Sequence, residues 1–131
     1  MARLPVRDAT VDAAMYAALL HYAPINDVIR EARRVVRPGG FLVAVDSPMY
    51  ADRHAQAEAE ARSAAYYSDA GFSELAAHYH PIEVGALRTA LLKRGFEILR
   101  LEDGRLGSRW WERLRWTRSP SYLFARLNER P

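Results

Sequence analysis

Two side chains of this sequence have the type and position that ligand chemistry requires. His21 directly follows an apolar stretch. It could act as a general base or contact a substrate, because imidazole titrates near neutrality. Asp46 follows the apolar run 41–45; at the carboxyl end of a parallel strand it would lie where open α/β sheets bind ligands. For each residue a purely structural role, in the core or in a turn, is the alternative.

Aromatic and basic side chains form two further candidate groups. His78, Tyr79 and His80 form a cluster of polar and aromatic side chains that could contact a substrate, and two histidines on one strand face could also bind a metal. Residues 105–120 interleave five arginines and three tryptophans with a single acidic residue. This segment could be a substrate lid, a subunit contact, a packed segment with a solvated basic face, or a nucleic-acid contact. We predict substrate contacts at Asp46, Tyr50, His80, Trp110 and Trp111.

The elements that would position these residues begin with a strand, a helix and a strand. Residues 11–20 are apolar apart from Asp12, which predicts a buried strand. From Asn26, the expected N-cap, apolar residues recur at helical spacing. Arg37-Pro38-Gly39-Gly40 should close that helix, and the run 41–45 reads as a parallel strand covered on both faces. This order predicts a right-handed crossover in an α/β fold.

The second half predicts helices on the faces of that sheet and a closing hairpin. Residues 51–67 are strong helix formers without a wide apolar stripe, which predicts a partly covered helix ending before Gly71. A second helix is indicated by the spacing of Val84, Leu87 and Leu91, with Gly95 as its cap. Residues 96–101 and 121–127 then read as strands.

The composition narrows the class of protein. The 131 residues suffice for one domain with a core, and 19 basic against 16 acidic residues give no global polyanion-binding signature. Cysteine is absent, the four histidines lack an H-x-x-x-H spacing, and no metal is predicted. The N-terminus lacks a signal-peptide core, and no apolar run approaches ~20 residues. We therefore expect a soluble, cytoplasmic protein without membrane or nucleic-acid partners.

Three consecutive segments resemble one family. Residues 4–12, LPVRDATVD, look like the "LPF-x-D-x-x-F-D" segment of class I S-adenosylmethionine-dependent methyltransferases of type 11. Residues 19–22, LLHY, resemble the "VLHH" stretch that follows it, and residues 31–40, EARRVVRPGG, are similar to "E-x-x-R-V-L-R-P-G-G". Each match alone is weak, but their order and spacing are those of the family.

The resemblance implies the C-terminal half of a Rossmann-like methyltransferase sheet. It covers nearly all 131 residues as one partial domain, with two parallel strands, a terminal antiparallel hairpin, helices on the faces, and inserted segments at about 49–80 and 105–120. The first three strands, the glycine-rich cofactor loop and the ribose-binding acid of the family would precede Met1. Gly39-Gly40 should be a helix stop rather than a substitute for that loop. The cofactor implied is S-adenosylmethionine, contacted by Asp8, Ala9, Tyr16, Ala17 and Leu20.

A partial domain of this kind should need a partner. In the family the strand at 11–18 is internal, so here its edge would be bare and would pair with a second copy or with a chain supplying the missing half. When complete, the protein is expected to transfer methyl groups to a small molecule, whereas the isolated chain should be inactive and its status as an enzyme is open. The alternative is a non-catalytic remnant that acts as an interaction or dimerisation module.

Overall fold

The computed structural model describes residues 3–102 and 121–129. Trp110 and Trp111, and the predicted excursion as a whole, lie outside the described residues. A 3₁₀ turn spans Leu20–Tyr22. The other elements, in chain order, are β1 (Val11–Ala17), α1 (Ile25–Val35), β2 (Val36–Val45), β3 (Met49–Tyr50), α2 (Arg53–Asp69), α3 (Ser73–Ala76), β4 (Ile82–Glu83), α4 (Val84–Lys93), β5 (Phe96–Glu102) and β6 (Tyr122–Leu127).

The described strands form a four-stranded sheet in the order β1-β2-β6-β5, and β3 and β4 form a small separate pair. β1 and β2 are parallel, whereas β6 is antiparallel to both β2 and β5. The predicted α/β architecture is thereby confirmed, with its two parallel strands and terminal antiparallel hairpin. The pairing of β3 with β4 was not predicted, because two-residue strands leave no periodic signal.

Helices α1 and α4 pack against each other and cover one face of the sheet. The apolar stripe of α1 is fully buried there through Val28, Ile29 and Ala32, and α4 contributes Leu87 and Leu91. The same core takes in the inward-facing side chains of the central strands. These are Leu42, Ala44, Leu123, Ala125 and Leu127.

Three details of the first crossover differ from the sequence prediction. The predicted N-cap, Asn26, lies inside α1, which begins at Ile25 after Pro24, and no side chain caps it. The Asn26 amide oxygen instead accepts a hydrogen bond from Arg94 at 3.3 Å. The strand predicted at 11–20 ends at Ala17, and Tyr16 is its only buried residue. β1 lies at the edge of the described sheet, so it has no strand on its other side to help bury its remaining residues.

The segment Arg37–Gly40 also has a different role from the one predicted. α1 already ends at Val35, and these residues lie within β2 as an irregularity of its pairing with β1. A Cβ atom on Gly40 would lie 2.7 Å from the backbone oxygen of Asp12. Glycine is therefore required for close approach of the two strands, which is a different reason from helix termination.

The later helices agree with the sequence more closely. Asp52 caps α2 by accepting a hydrogen bond from the Ala55 N–H at 2.9 Å. Only Ala59 of this helix is buried, which agrees with the prediction of a partly covered helix. The carboxylate of Glu83 caps α4 by accepting from two backbone N–H groups. Gly95 follows α4 with a φ of +78°, the left-handed angle of a helix terminus. No helix in the described ranges is long and apolar enough to cross a bilayer.

Candidate functional site

The candidate site lies where the parallel strands β1 and β2 end. The Ala18 N–H donates a hydrogen bond to the Val45 carbonyl at 2.9 Å, so the chain segments that leave β1 and β2 are adjacent. Ala18 and Asp46 both have a positive φ, of +53° and +56°. Left-handed backbone is costly for residues other than glycine and is concentrated at ligand sites. The carboxyl ends of parallel strands are also where open α/β sheets bind ligands.

Hydrogen bonds of Ser47 connect the segments that follow β1 and β2, and the sequence analysis did not identify this residue. Its hydroxyl accepts a hydrogen bond from the Leu20 N–H at 3.1 Å, and its carbonyl accepts one from the Ser121 hydroxyl at 2.5 Å. The Ser121 carbonyl in turn accepts from the Asp46 N–H at 3.1 Å. Both serines are buried. The only sequence signal for Ser47 was its place beside Asp46, because its partners are remote along the chain.

Two buried side chains at this end have a polar atom with no partner among the described residues. They are the hydroxyl of Tyr16 and the Nδ1 of His21. Burial raises the pKa of Tyr16, and the negative charge of Glu31 adds to that effect. Burial lowers the pKa of His21, so this imidazole is neutral at pH 7. A buried polar group without a partner is costly, which is why such groups often mark ligand sites.

Two aromatic side chains contact the ring of His21, one from the same 3₁₀ turn and one from the segment after α3. The His21 ring contacts those of Tyr22 and Tyr79, with centroids 4.3 and 5.3 Å apart. The Tyr79 hydroxyl lies 3.3 Å from that of Tyr50, and burial together with this contact raises the pKa of Tyr79 to about 12. The His80 N–H donates to the His21 carbonyl at 2.7 Å. The structure therefore brings together three predicted site residues, His21, Tyr50 and His80.

The two histidines considered for a metal are not on a strand. His78 and His80 precede β4 in irregular chain, and His78 is exposed whereas His80 is half-buried. The i, i+2 alternation that would place both rings on one strand face therefore does not apply here.

The five predicted cofactor contacts are divided between the two ends of β1. Tyr16 and Ala17 lie at its carboxyl end, with Leu20 in the turn that follows. Asp8 and Ala9 precede its amino end, about 20 Å away at ~3.3 Å per residue. The Asp8 carboxylate there accepts from Arg34 at 2.6 Å, and the Ala9 N–H donates to the Arg34 carbonyl. Along the backbone, the two groups therefore lie at opposite ends of β1.

The carboxyl end of β1 offers hydrogen-bonding and apolar side chains. Tyr16 and His21 supply buried hydrogen-bonding groups, and the exposed Ala17 supplies apolar surface, whereas Leu20 is fully buried and offers no surface. A glycine cradle does not occur at this edge in the described ranges, since Gly39 and Gly40 lie towards the amino end of β2. The segment thus offers side-chain contacts but lacks the backbone N–H cradle that nucleotide-like cofactors use.

Comparisons with known proteins agree with this fold. A family model described as a methyltransferase domain matches residues 1–44. A comparison with curated protein sequences finds no match.

Solved structures resemble the chain over nearly its whole length. A protein of Bacillus halodurans described as a methyltransferase is 13% identical, with a TM-score of 0.67; the match covers 95% of this chain and 68% of that one. A protein described as a methyltransferase, in complex with the Haloferax volcanii activator Trm112, is 14% identical with a TM-score of 0.62, covering 95% and 57%. Geranyl diphosphate C-methyltransferase from Streptomyces coelicolor, solved with Mg²⁺, geranyl diphosphate and S-adenosyl-L-homocysteine, is 12% identical with a TM-score of 0.62, covering 97% and 50%.

The predicted resemblance to class I S-adenosylmethionine-dependent methyltransferases is therefore confirmed. The match of residues 1–44 supports it at the level of sequence, and the solved structures support it at the level of fold. The chain spans between half and about two thirds of the length of the three structures described.

Proposed function

We propose that this chain is the C-terminal part of an S-adenosylmethionine-dependent methyltransferase that acts on a small molecule in the cytoplasm. The observation that carries the proposal is the pair of buried, unpartnered polar atoms at the end of β1, the Tyr16 hydroxyl and His21 Nδ1. In this proposal Tyr16, Ala17 and Leu20 face the methionine end of the cofactor. Asp46, Tyr50 and His80, with Trp110 and Trp111, face the methyl acceptor.

The isolated chain is inactive in this proposal, because it provides one wall of the site. Methyl transfer depends mainly on positioning a cofactor that is already activated. An incomplete cofactor site therefore lowers both the affinity for the cofactor and the rate of methyl transfer. His21 is the group of the described site best suited to accept a proton, since burial keeps its imidazole neutral at pH 7. Partners that complete or activate the protein are part of the proposal, and one structure of similar fold is a complex with an activator.

The second candidate is a non-catalytic module derived from a methyltransferase. The free edge of β1 favours it, because β1 pairs only with β2 among the described strands. In this case the unpartnered atoms are remnants of an older site. Their burial would then cost stability with no ligand to compensate.

Calorimetric titration with S-adenosylmethionine and S-adenosylhomocysteine distinguishes the two candidates. The methyltransferase proposal predicts no binding by the isolated chain and micromolar binding once a partner completes the site. The partner-complexed Tyr16→Phe variant should bind several-fold more weakly, whereas Tyr66→Phe, at an exposed position of α2, should bind like the wild type. A completed assembly that binds neither compound would contradict the proposal and favour the module.

A further inference from the structure

Two half-buried arginines, Arg33 and Arg94, have no carboxylate partner among the described residues. Arg94 donates only to neutral oxygens, those of the Asn26 amide at 3.3 Å and the Ala90 carbonyl at 3.4 Å. By contrast Arg34, which is also half-buried, pairs with two carboxylates. A charge that is partly removed from water without a counter-charge is costly. The guanidinium groups of Arg33 and Arg94 are therefore candidates for binding an anion.

Both arginines line the same cleft, which has a volume of about 450 Å³ and lies by the last turns of α1 and α4. Lys93 lines this cleft as well and brings a third positive charge. So does Asn128, whose N–H donates to the Gly95 carbonyl at 3.0 Å and thereby joins the end of β6 to the end of α4. None of the described residues that line the cleft is acidic. The cleft is therefore concave and cationic, and its backbone is fixed by the fold.

This cleft is separate from the candidate site at the carboxyl ends of β1 and β2. Leu127, which lines the cleft, is the last residue of β6 and pairs with Phe96 at the start of β5. Because β6 runs antiparallel to β2, its end lies towards the amino end of β2. The cleft and the candidate site are thus at opposite ends of the sheet, and the proposed methyl transfer uses none of the residues of the cleft.

The charge of the cleft indicates the charge of its ligand. Helices α1 and α4 both end here, and the C-terminus of a helix carries roughly half a negative charge. Against the three cations, these helix ends leave about two positive charges without compensation. A phosphate monoester carries a charge of about −1.5 to −2 at pH 7. Its oxygens also match the planar fork of an arginine, which binds phosphate through two parallel hydrogen bonds.

We propose that this cleft binds a small phosphate monoester, whose phosphate is held by Arg33, Arg94 and Lys93. Both hydrogen bonds of Arg94 start from Nη1, so its Nε and Nη2 have no partner among the described residues and can donate to phosphate oxygens. The side chain of Leu92, which is 62% exposed and lines the same cleft, contacts the organic part of the ester. The site goes beyond the proposed function, because neither the cofactor nor the methyl acceptor binds there.

The test is a titration of the ¹⁵N-labelled chain with phenyl phosphate, followed by NMR of the backbone amides. The amide signals of Gly95 and Asn128 should shift and saturate, whereas that of Asp46 at the candidate site should not move. Arg33→Gln should weaken binding at least about tenfold, because it removes one of the two guanidinium groups. The control is Arg88→Gln, which removes the same charge at an exposed position of α4 outside the cleft. It should change the affinity less than about twofold.

Succinate is the second probe, because it is a dianion with carboxylates in place of phosphate. It should bind several-fold more weakly than phenyl phosphate, and equal affinity for the two would overturn the assignment to phosphate esters. Equal weakening by Arg33→Gln and Arg88→Gln would show attraction to net charge alone and overturn the site itself. The absence of any saturable shift at Gly95 would do the same.

The amide spectrum also shows whether each variant is folded. If Arg33→Gln unfolds, Arg33→Lys replaces it, with a smaller loss of affinity expected because lysine keeps the charge but not the planar fork. S-Adenosylmethionine plays no part in these measurements, so their outcome is independent of the proposed function.

Discussion

At the scale of single residues, the segments at the carboxyl ends of β1 and β2 are held together by buried hydrogen bonds to the hydroxyl and carbonyl of one serine. Ser47 connects the turn after β1 to the start of β6 through Leu20 and Ser121. Neither contact could be inferred from the sequence, since Ser47 lies 27 residues from Leu20 and 74 from Ser121. The polar framework of the site is in this sense a product of the fold.

We expect Ser47→Ala to destabilise the protein by about 1–3 kcal/mol, because it leaves the buried Leu20 N–H without its acceptor. Urea denaturation measures the change. Ser68→Ala, at an exposed position of α2, serves as the control and should change stability by less than ~0.5 kcal/mol. Equal stability of the two variants would show that the Ser47 hydroxyl contributes nothing.

The buried imidazole of His21 should make stability depend on pH. Its pKa is lowered in the folded state from an ordinary value of 6.5, so the unfolded chain takes up a proton first as pH falls. Stability is therefore complete above pH 6.5 and is lost as pH falls below it. Urea denaturation between pH 7.5 and 5.5 should show this loss in the wild type and a smaller one in His21→Gln. Parallel pH profiles for the two proteins would refute this assignment.

At the scale of elements, Arg34 of α1 fastens the segment before β1. Its guanidinium donates to the carbonyls of Leu4 and Val6, to Asp8, and to both oxygens of Glu31. These hydrogen bonds hold the pKa of Glu31 at about 2 and raise that of Arg34. The Glu31 and Arg34 of the recognised motif thus act locally as a clamp, which the sequence pattern alone did not reveal.

Loss of the clamp should free the segment before β1. Trypsin should cleave after Arg7 faster in Arg34→Ala than in the wild type, while Arg30→Ala, which removes only an exposed pair with Asp27, should leave the rate unchanged. Identical cleavage of the two arginine variants would contradict the clamp.

The ion pair of Glu31 with Arg34 should also make stability depend on pH. The stabilisation from Glu31 is complete above its ordinary pKa of 4.5 and is lost as pH falls towards about 2. Glu31→Gln should therefore show a weaker loss of stability over that range.

At the scale of the whole molecule, the described fold is a half-covered sheet. Helices α1 and α4 bury one face, whereas Met15 and Phe124 remain exposed on the other. A partner that binds only the folded chain must stabilise it by mass action. At a partner concentration of 100 times Kd the unfolding free energy should rise by about 2.7 kcal/mol. Thermal denaturation with and without the partner measures this, and an unchanged midpoint at saturation would exclude coupled stabilisation.

The sequence by itself determined the order of the strands and helices and the resemblance to methyltransferases. Apolar periodicity reports burial locally, and the motif at 31–40 is local as well. Only the tertiary structure decided that Gly40 permits the close approach of two strands and that Asp8 pairs with Arg34. It also showed that Ser47 joins three chain segments and that Met15 faces outward. Each of these facts depends on contacts between residues distant in the chain, and such contacts leave no periodic trace in a single sequence.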